Sequence, residues 1–322
     1  MARRRPLVLV WLAAVGAGAV VSCGSRTGLF SDDLVATTTN GPHTFNEAGR
    51  DGEPDATLLD ALPPVDVQPK PDVDRTDCPD ADATYVYVVT SQNELFSFYP
   101  PTLTFRFIGN LVCPAKAGET PFSMAVDRKG KAYVVYTDGS LFAVSTATAA
   151  CTSTAWKPQV GTFTTFGMGF ASEMGGPTER LYIADSNGVN ATSRGLATID
   201  VTSFALNVIG PFSPPLPRAE LTGTGDGRLY AFWPDTAVGT GSHLAEIEKA
   251  TAKVVAMTNL PVAERNDAFA FAFWGGDFWI FRSPSGPSDV VRFRPADGTT
   301  QKLTTHPSTI VGAGVSTCAP QL

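Results

Sequence analysis

Five short strands, each carrying one aromatic ring at nearly the same interval, constrain this chain more than any other feature. They are Tyr85-Val86-Tyr87-Val88-Val89, Ala132-Tyr133-Val134-Val135, Leu181-Tyr182-Ile183-Ala184, Leu229-Tyr230-Ala231-Phe232 and Phe278-Trp279-Ile280-Phe281. The ring positions 87, 133, 182, 230 and 279 lie 46, 49, 48 and 49 residues apart. β-branched and aromatic residues favour a pleated, half-buried surface, so each run reads as a strand. Gly130, Gly227 and Gly276 stand three residues before three of these rings and mark a tight turn into the strand.

A second strand follows each ring-bearing one, from Leu95-Phe96-Ser97-Phe98 to Val290-Val291-Arg292-Phe293. A turn and a third strand come next, clearest at Leu103 to Ile108 and Phe204 to Ile209. Ahead of each ring lies a strand of small residues: Ser123 to Val126, Gly167 to Phe170, Leu221 to Thr224, Phe269 to Ala272 and Val311 to Gly314. Glycine inside a strand marks a place where another backbone comes close, as it must where inner strands crowd round an axis. Four strands per unit and five units predict an all-β fold, a five-bladed β-propeller over residues 78–322. A β-sandwich, or two small β-domains, is the alternative. Unit one holds three strands of its own, and residues 309–316 are expected to supply its inner strand, leaving no free edge.

Pro121-Phe122-Ser123-Met124-Ala125-Val126-Asp127-Arg128-Lys129-Gly130-Lys131-Ala132-Tyr133-Val134-Val135 resembles the repeat of NHL-type and gluconolactonase-type propellers. In those a Pro precedes an apolar strand, an Asp-x-x-Gly turn and a Tyr-Val strand. The other units keep the rhythm without the motif, so the resemblance implies fold and not function.

The N-terminus has a different character. Arg3-Arg4-Arg5 precedes an apolar run from Leu7 to Val21, the pattern of a secretory signal peptide over residues 1–22. The run is shorter than the ~20 residues of a membrane span. Val20-Val21-Ser22-Cys23 resembles the lipobox of bacterial lipoproteins, which implies that Cys23 is acylated and becomes the first mature residue. Several acyl chains anchor stably where one does not. Position 24 is Gly; in lipoproteins of enteric bacteria an Asp there holds the protein in the inner membrane, so the resemblance implies an exported, outer-membrane protein. Residues 24–77 hold eleven acidic against four basic side chains and almost no aromatics. Such a segment cannot offset its chain entropy by burial and is expected to be a disordered tether. As a flexible coil it would reach about 40 Å.

Of the chain's net charge of −7, the signal contributes +3 and the tether −7, leaving −3 for the domain. No basic stripe suggests nucleic acid as a partner. Export permits disulfides. Cys78 and Cys318 flank the strands that close the ring and are expected to pair, leaving Cys113 with Cys151.

Catalytic and metal patterns are scarce, and neither a cofactor nor a metal is expected. His243 and His306 stand outside any metal spacing, and Asp185-Ser186-Asn187-Gly188-Val189-Asn190 lacks the Gly and Glu of a calcium loop. Propeller ligands usually sit at the mouth of the axial channel. Asp185, Asn187, Arg194, Arg218, Glu220, Asp235, His243, Arg265, Asp267 and His306 are expected on that face; Asp185, Glu220, Asp267 and His243 are the candidate ligand residues, with Glu220 and Asp267 at inner-strand entrances. Two functions follow. The first is a monomeric, membrane-anchored binding or scaffold module for a protein or carbohydrate. The second is an extracytoplasmic glycosidase- or lactonase-like hydrolase using paired carboxylates.

Overall fold

The computed structural model describes residues 85–159, 162–173, 176–186, 193–235, 241–262 and 268–322. The expected signal peptide (residues 1–22), Cys23, the expected tether (24–77), Cys78 and Asp267 lie outside the described residues.

The domain is all-β. The chain runs through β1 (Val86–Thr90), β2 (Glu94–Tyr99) and β3 (Thr104–Asn110). It continues through β4 (Pro121–Val126), β5 (Lys131–Tyr136), β6 (Leu141–Ser145) and β7 (Cys151–Ser153). Next come β8 (Phe166–Ser172), β9 (Glu179–Asp185), β10 (Leu196–Ile199) and β11 (Leu206–Gly210). The fourth set is β12 (Glu220–Gly223), β13 (Leu229–Pro234), β14 (Ser242–Ile247) and β15 (Val254–Leu260). The fifth is β16 (Ala268–Trp274), β17 (Asp277–Ser283), β18 (Ser288–Arg294) and β19 (Thr299–His306), and β20 (Ile310–Val315) ends the series. Each set of four forms one antiparallel sheet, and β20 pairs with β1 to complete the first. The inner strands β20, β4, β8, β12 and β16 touch in that order and close a ring. This is the five-bladed propeller expected from the repeat, with its shared first blade.

Register explains the repeat. Each ring stands on the second strand of its blade, directly opposite a small residue of the inner strand. The pairs are Tyr87 with Gly314, Tyr133 with Ala125, Tyr182 with Gly169, Tyr230 with Thr222 and Trp279 with Ala272. A small residue lets the neighbouring blade approach, and the ring fills the space beside it. The approach is close: a Cβ on Gly167 would lie 2.1 Å from the Ala219 carbonyl oxygen, and one on Gly223 2.1 Å from that of Phe170. Gly130, Gly227 and Gly276 adopt φ of 73°, 94° and 77° in the turns into β5, β13 and β17, a conformation that costs other residues more.

The buried side chains fall into five clusters, one at each seam between neighbouring blades. At the seam of blades five and one, Val86, Val88 and Phe98 pack against Phe281, Val290 and Ile310. Each fully buried side chain of this kind contributes about 1.5–3 kcal/mol.

Cys113 and Cys151 are disulfide-bonded, with Cα atoms 5.0 Å apart, joining blades one and two. Cys318 is also in a disulfide. A non-reducing digest of the full-length protein is expected to yield the Cys78 and Cys318 peptides joined together. Recovery of Cys318 linked to Cys23, or of Cys78 as a free thiol, would contradict a ring stapled at its two ends.

Candidate functional site

The starts of the inner strands converge at one end of the axis, and charged groups meet there. Glu220 opens β12 and is 2% exposed. Ser123 of β4 donates from Oγ to Glu220 Oε2 at 2.6 Å. Strand β8 stands between β4 and β12 in the ring, so this bond crosses the channel, and the backbone N–H of Met168 on β8 also donates to the carboxylate. The other oxygen, Oε1, is buried and without a hydrogen-bond partner. Burial pushes the Glu220 carboxyl up to about 8, despite these donors and the charge of Arg218. At neutral pH it therefore carries a proton.

Arg218 lies two residues before Glu220 and is half-buried. Its guanidinium carbon sits 4.5 Å from the ring centre of Phe122 on β4 and 4.9 Å from that of Phe269 on β16. Rings from two other blades thus position it by cation–π contact. Its Nε is buried with no acceptor.

At the far end of the axis the C-terminal segment meets other blades. Gly275 N–H donates to the Pro320 carbonyl at 2.7 Å. There Glu179 accepts from Arg128 N at 2.6 Å and from Thr317 Oγ1 at 2.8 Å, and burial raises its carboxyl to about 7.

The residues singled out from sequence do not form one site. Asp185 is fully buried at the end of β9, where it accepts the N–H groups of Phe163 at 3.0 Å and Arg194 at 2.9 Å. It braces backbone. His243 lies on β14, two strands out from β12, between Asp235 at 2.7 Å and Asn259 at 2.9 Å and stacked on Trp233. His306 packs against Phe96 and Phe105 near the rim. Of the residues expected on that face, Arg218 and Glu220 are shown together at the axis, while Asn187, Arg265 and Asp267 lie outside the described residues. Ser123, Phe122 and Phe269 complete that constellation, and the sequence signal for them was weak: they stand at inner-strand entrances, where Ser and Phe read as ordinary strand residues.

Two open grooves lie elsewhere, on either side of the turn between β2 and β3. One, of about 470 Å³, is lined by Tyr85, Tyr87, Tyr99 and Arg106; the other, of about 260 Å³, by Pro101, Trp274, Asp277 and Arg292. Beside the first, Thr102, Thr104 and Arg106 are exposed.

No protein-family profile and no curated protein matches the chain. Solved structures do. A chain of the nidogen–laminin complex is 10% identical with a TM-score of 0.47, over 71% of this chain and 97% of that one. TolB from Acinetobacter baumannii is 11% identical with a TM-score of 0.40, over 71% and 55%. The Dos1 propeller is 10% identical with a TM-score of 0.36, over 73% and 70%.

Proposed function

We propose that this chain is a lipid-anchored, extracytoplasmic binding module that takes its protein or carbohydrate ligand at the inner-strand entrances, around Arg218 and Glu220. One observation carries the reading: a guanidinium positioned by two aromatic rings and a buried carboxyl both present polar atoms without protein partners at the same end of the axis. A buried polar atom left unpaired costs about 1–3 kcal/mol, and a bound ligand would recover it. Glycoside hydrolysis uses two carboxyl groups about 5–10 Å apart. Among the described residues Asp185 is committed to backbone and Glu220 meets Ser123 and Arg218, and Asp267 lies outside them.

Two experiments test this. Full-length chain captured from intact cells that produce it is expected to retain a ligand that Arg218→Gln loses, while Val255→Asp on the exposed face of β15 retains it. Equal retention by all three would overturn the reading. For the anchor, Cys23→Ala is expected to move the protein from the membrane to the soluble fraction and to abolish incorporation of labelled acyl chains. A variant that still fractionates with membranes, beside a wild type that takes up no label, would remove the lipid anchor from the proposal.

A further inference from the structure

We propose that the mouth of the channel binds a single carboxylate group, held between Arg218 and the Oε1 edge of Glu220. This rests on the reading of that mouth as the ligand site and names the chemistry it recognises. Among the described residues Arg218 makes no ion pair and no hydrogen bond, although its Nε is buried. The Phe122 and Phe269 rings fix the guanidinium in place, so little side-chain entropy is lost when its N–H groups find an acceptor. A guanidinium so placed is a ready fork for an oxyanion.

Charge decides which oxyanion. Arg218 is one positive charge, and a carboxylate balances it. A dianionic phosphate would leave a surplus negative charge beside a buried carboxyl. Glu220 fits the same ligand: its Oε2 accepts from Ser123, and its Oε1 is unpartnered. With Glu220 protonated, Oε1–H is a second donor aimed at the ligand. Among the described residues, the groups that face Glu220 are Ser123 from β4, the Met168 amide from β8 and Arg218, and of these Glu220 itself is the group that titrates near neutral pH. Its carboxyl sits near 8, and once ionised it repels the ligand. Affinity should therefore fall about tenfold between pH 7 and pH 9, as the protonated fraction falls.

The test uses the full-length chain with ¹⁵N-labelled arginine, titrated with acetate and, at matched ionic strength, with chloride and inorganic phosphate. The Arg218 Nε–H resonance is expected to shift saturably with acetate at roughly millimolar Kd, and to show no saturation with chloride or phosphate. The acetate affinity should drop between pH 7 and 9 in the wild type, and that drop should vanish in Glu220→Gln. Arg218→Lys, which keeps the charge but loses the fork, should weaken acetate at least several-fold. Linear, non-saturating shifts with acetate, or phosphate binding more tightly, would overturn the carboxylate assignment. If acetate fails while Arg218→Gln still abolishes ligand capture from cells, this inference falls and the binding site stands. If acetate fails and capture is unaffected, both fall.

Discussion

Deleting residues 308–322 is expected to leave the domain without a cooperative melt. Those residues hold β20, the inner strand of blade one, and the segment that meets other blades at the far end of the axis. Without them β1, buried along Val86 to Thr90, loses its inner-strand partner and keeps only the ladder to β2. Unpaired buried backbone groups cost about as much as lost hydrogen bonds. Ile310, Ala313, Val315 and Ala319 also leave the seam of blades five and one. The ring itself opens, because β20 stands between β16 and β4. These losses together exceed the roughly 5–15 kcal/mol by which a domain is stable. Cys318→Ala is a milder change. It removes a cross-link that, if made to Cys78, closes a loop of about 240 residues, for which chain entropy gives about 5 kcal/mol and measurement often less. Cys318→Ala should therefore melt cooperatively at a clearly lower temperature. Circular dichroism melts of the two variants decide: a cooperative transition in the deletion variant would show that blade one does not depend on the C-terminal strand.

The second large effect is a loss of stability with rising pH. Glu220 and Glu179 have carboxyls raised by burial from an ordinary 4.5 to about 8 and about 7. Below 4.5 both states bind the proton, and nothing is lost. Between 4.5 and the folded values the unfolded chain releases protons that the folded chain keeps, so the unfolded state gains. Stability contributed by each group falls by up to about 1.4 kcal/mol per pH unit over that window and is flat above it. Glu220→Gln removes the larger share. At pH 8.5 it should be about 2 kcal/mol or more steadier than wild type, and near pH 5 within about 1 kcal/mol of it. Urea unfolding of both proteins at the two pH values measures this directly. Acidic groups held low by hydrogen bonds, such as Asp200 and Asp297, act in both proteins and cancel in the difference. A difference that does not change with pH would mean that Glu220 is ionised in the folded protein.

The blades were legible because their rhythm is written in side-chain size: one ring per unit on the second strand, facing a small residue on the first. Another repeating device was not legible. Leu103, Ala149, Phe204, Ala252 and Gly298 all take φ between 55° and 69° in the turn before the outer strand. A left-handed position is read from glycine, and only blade five shows one there. The site was half legible. Glu220 stood out as an acid beside a run of small residues, but its partner Ser123 is 97 residues away, and nothing in a serine on a strand points to a carboxylate across an axis. Asp185 and His243 were grouped with it because a polar residue near a strand end looks the same whether it faces a ligand or braces a loop. Only the register separates the two cases.

The most direct test places a photo-cross-linking phenylalanine analogue in the full-length protein, in cells, at three positions in turn: Phe122 at the channel mouth, Tyr99 beside the blade-one grooves and Val255 on an outer strand. A ligand adduct from position 122 alone is the expected result. An adduct from position 99 or 255, with none from 122, would place the binding surface elsewhere on the propeller.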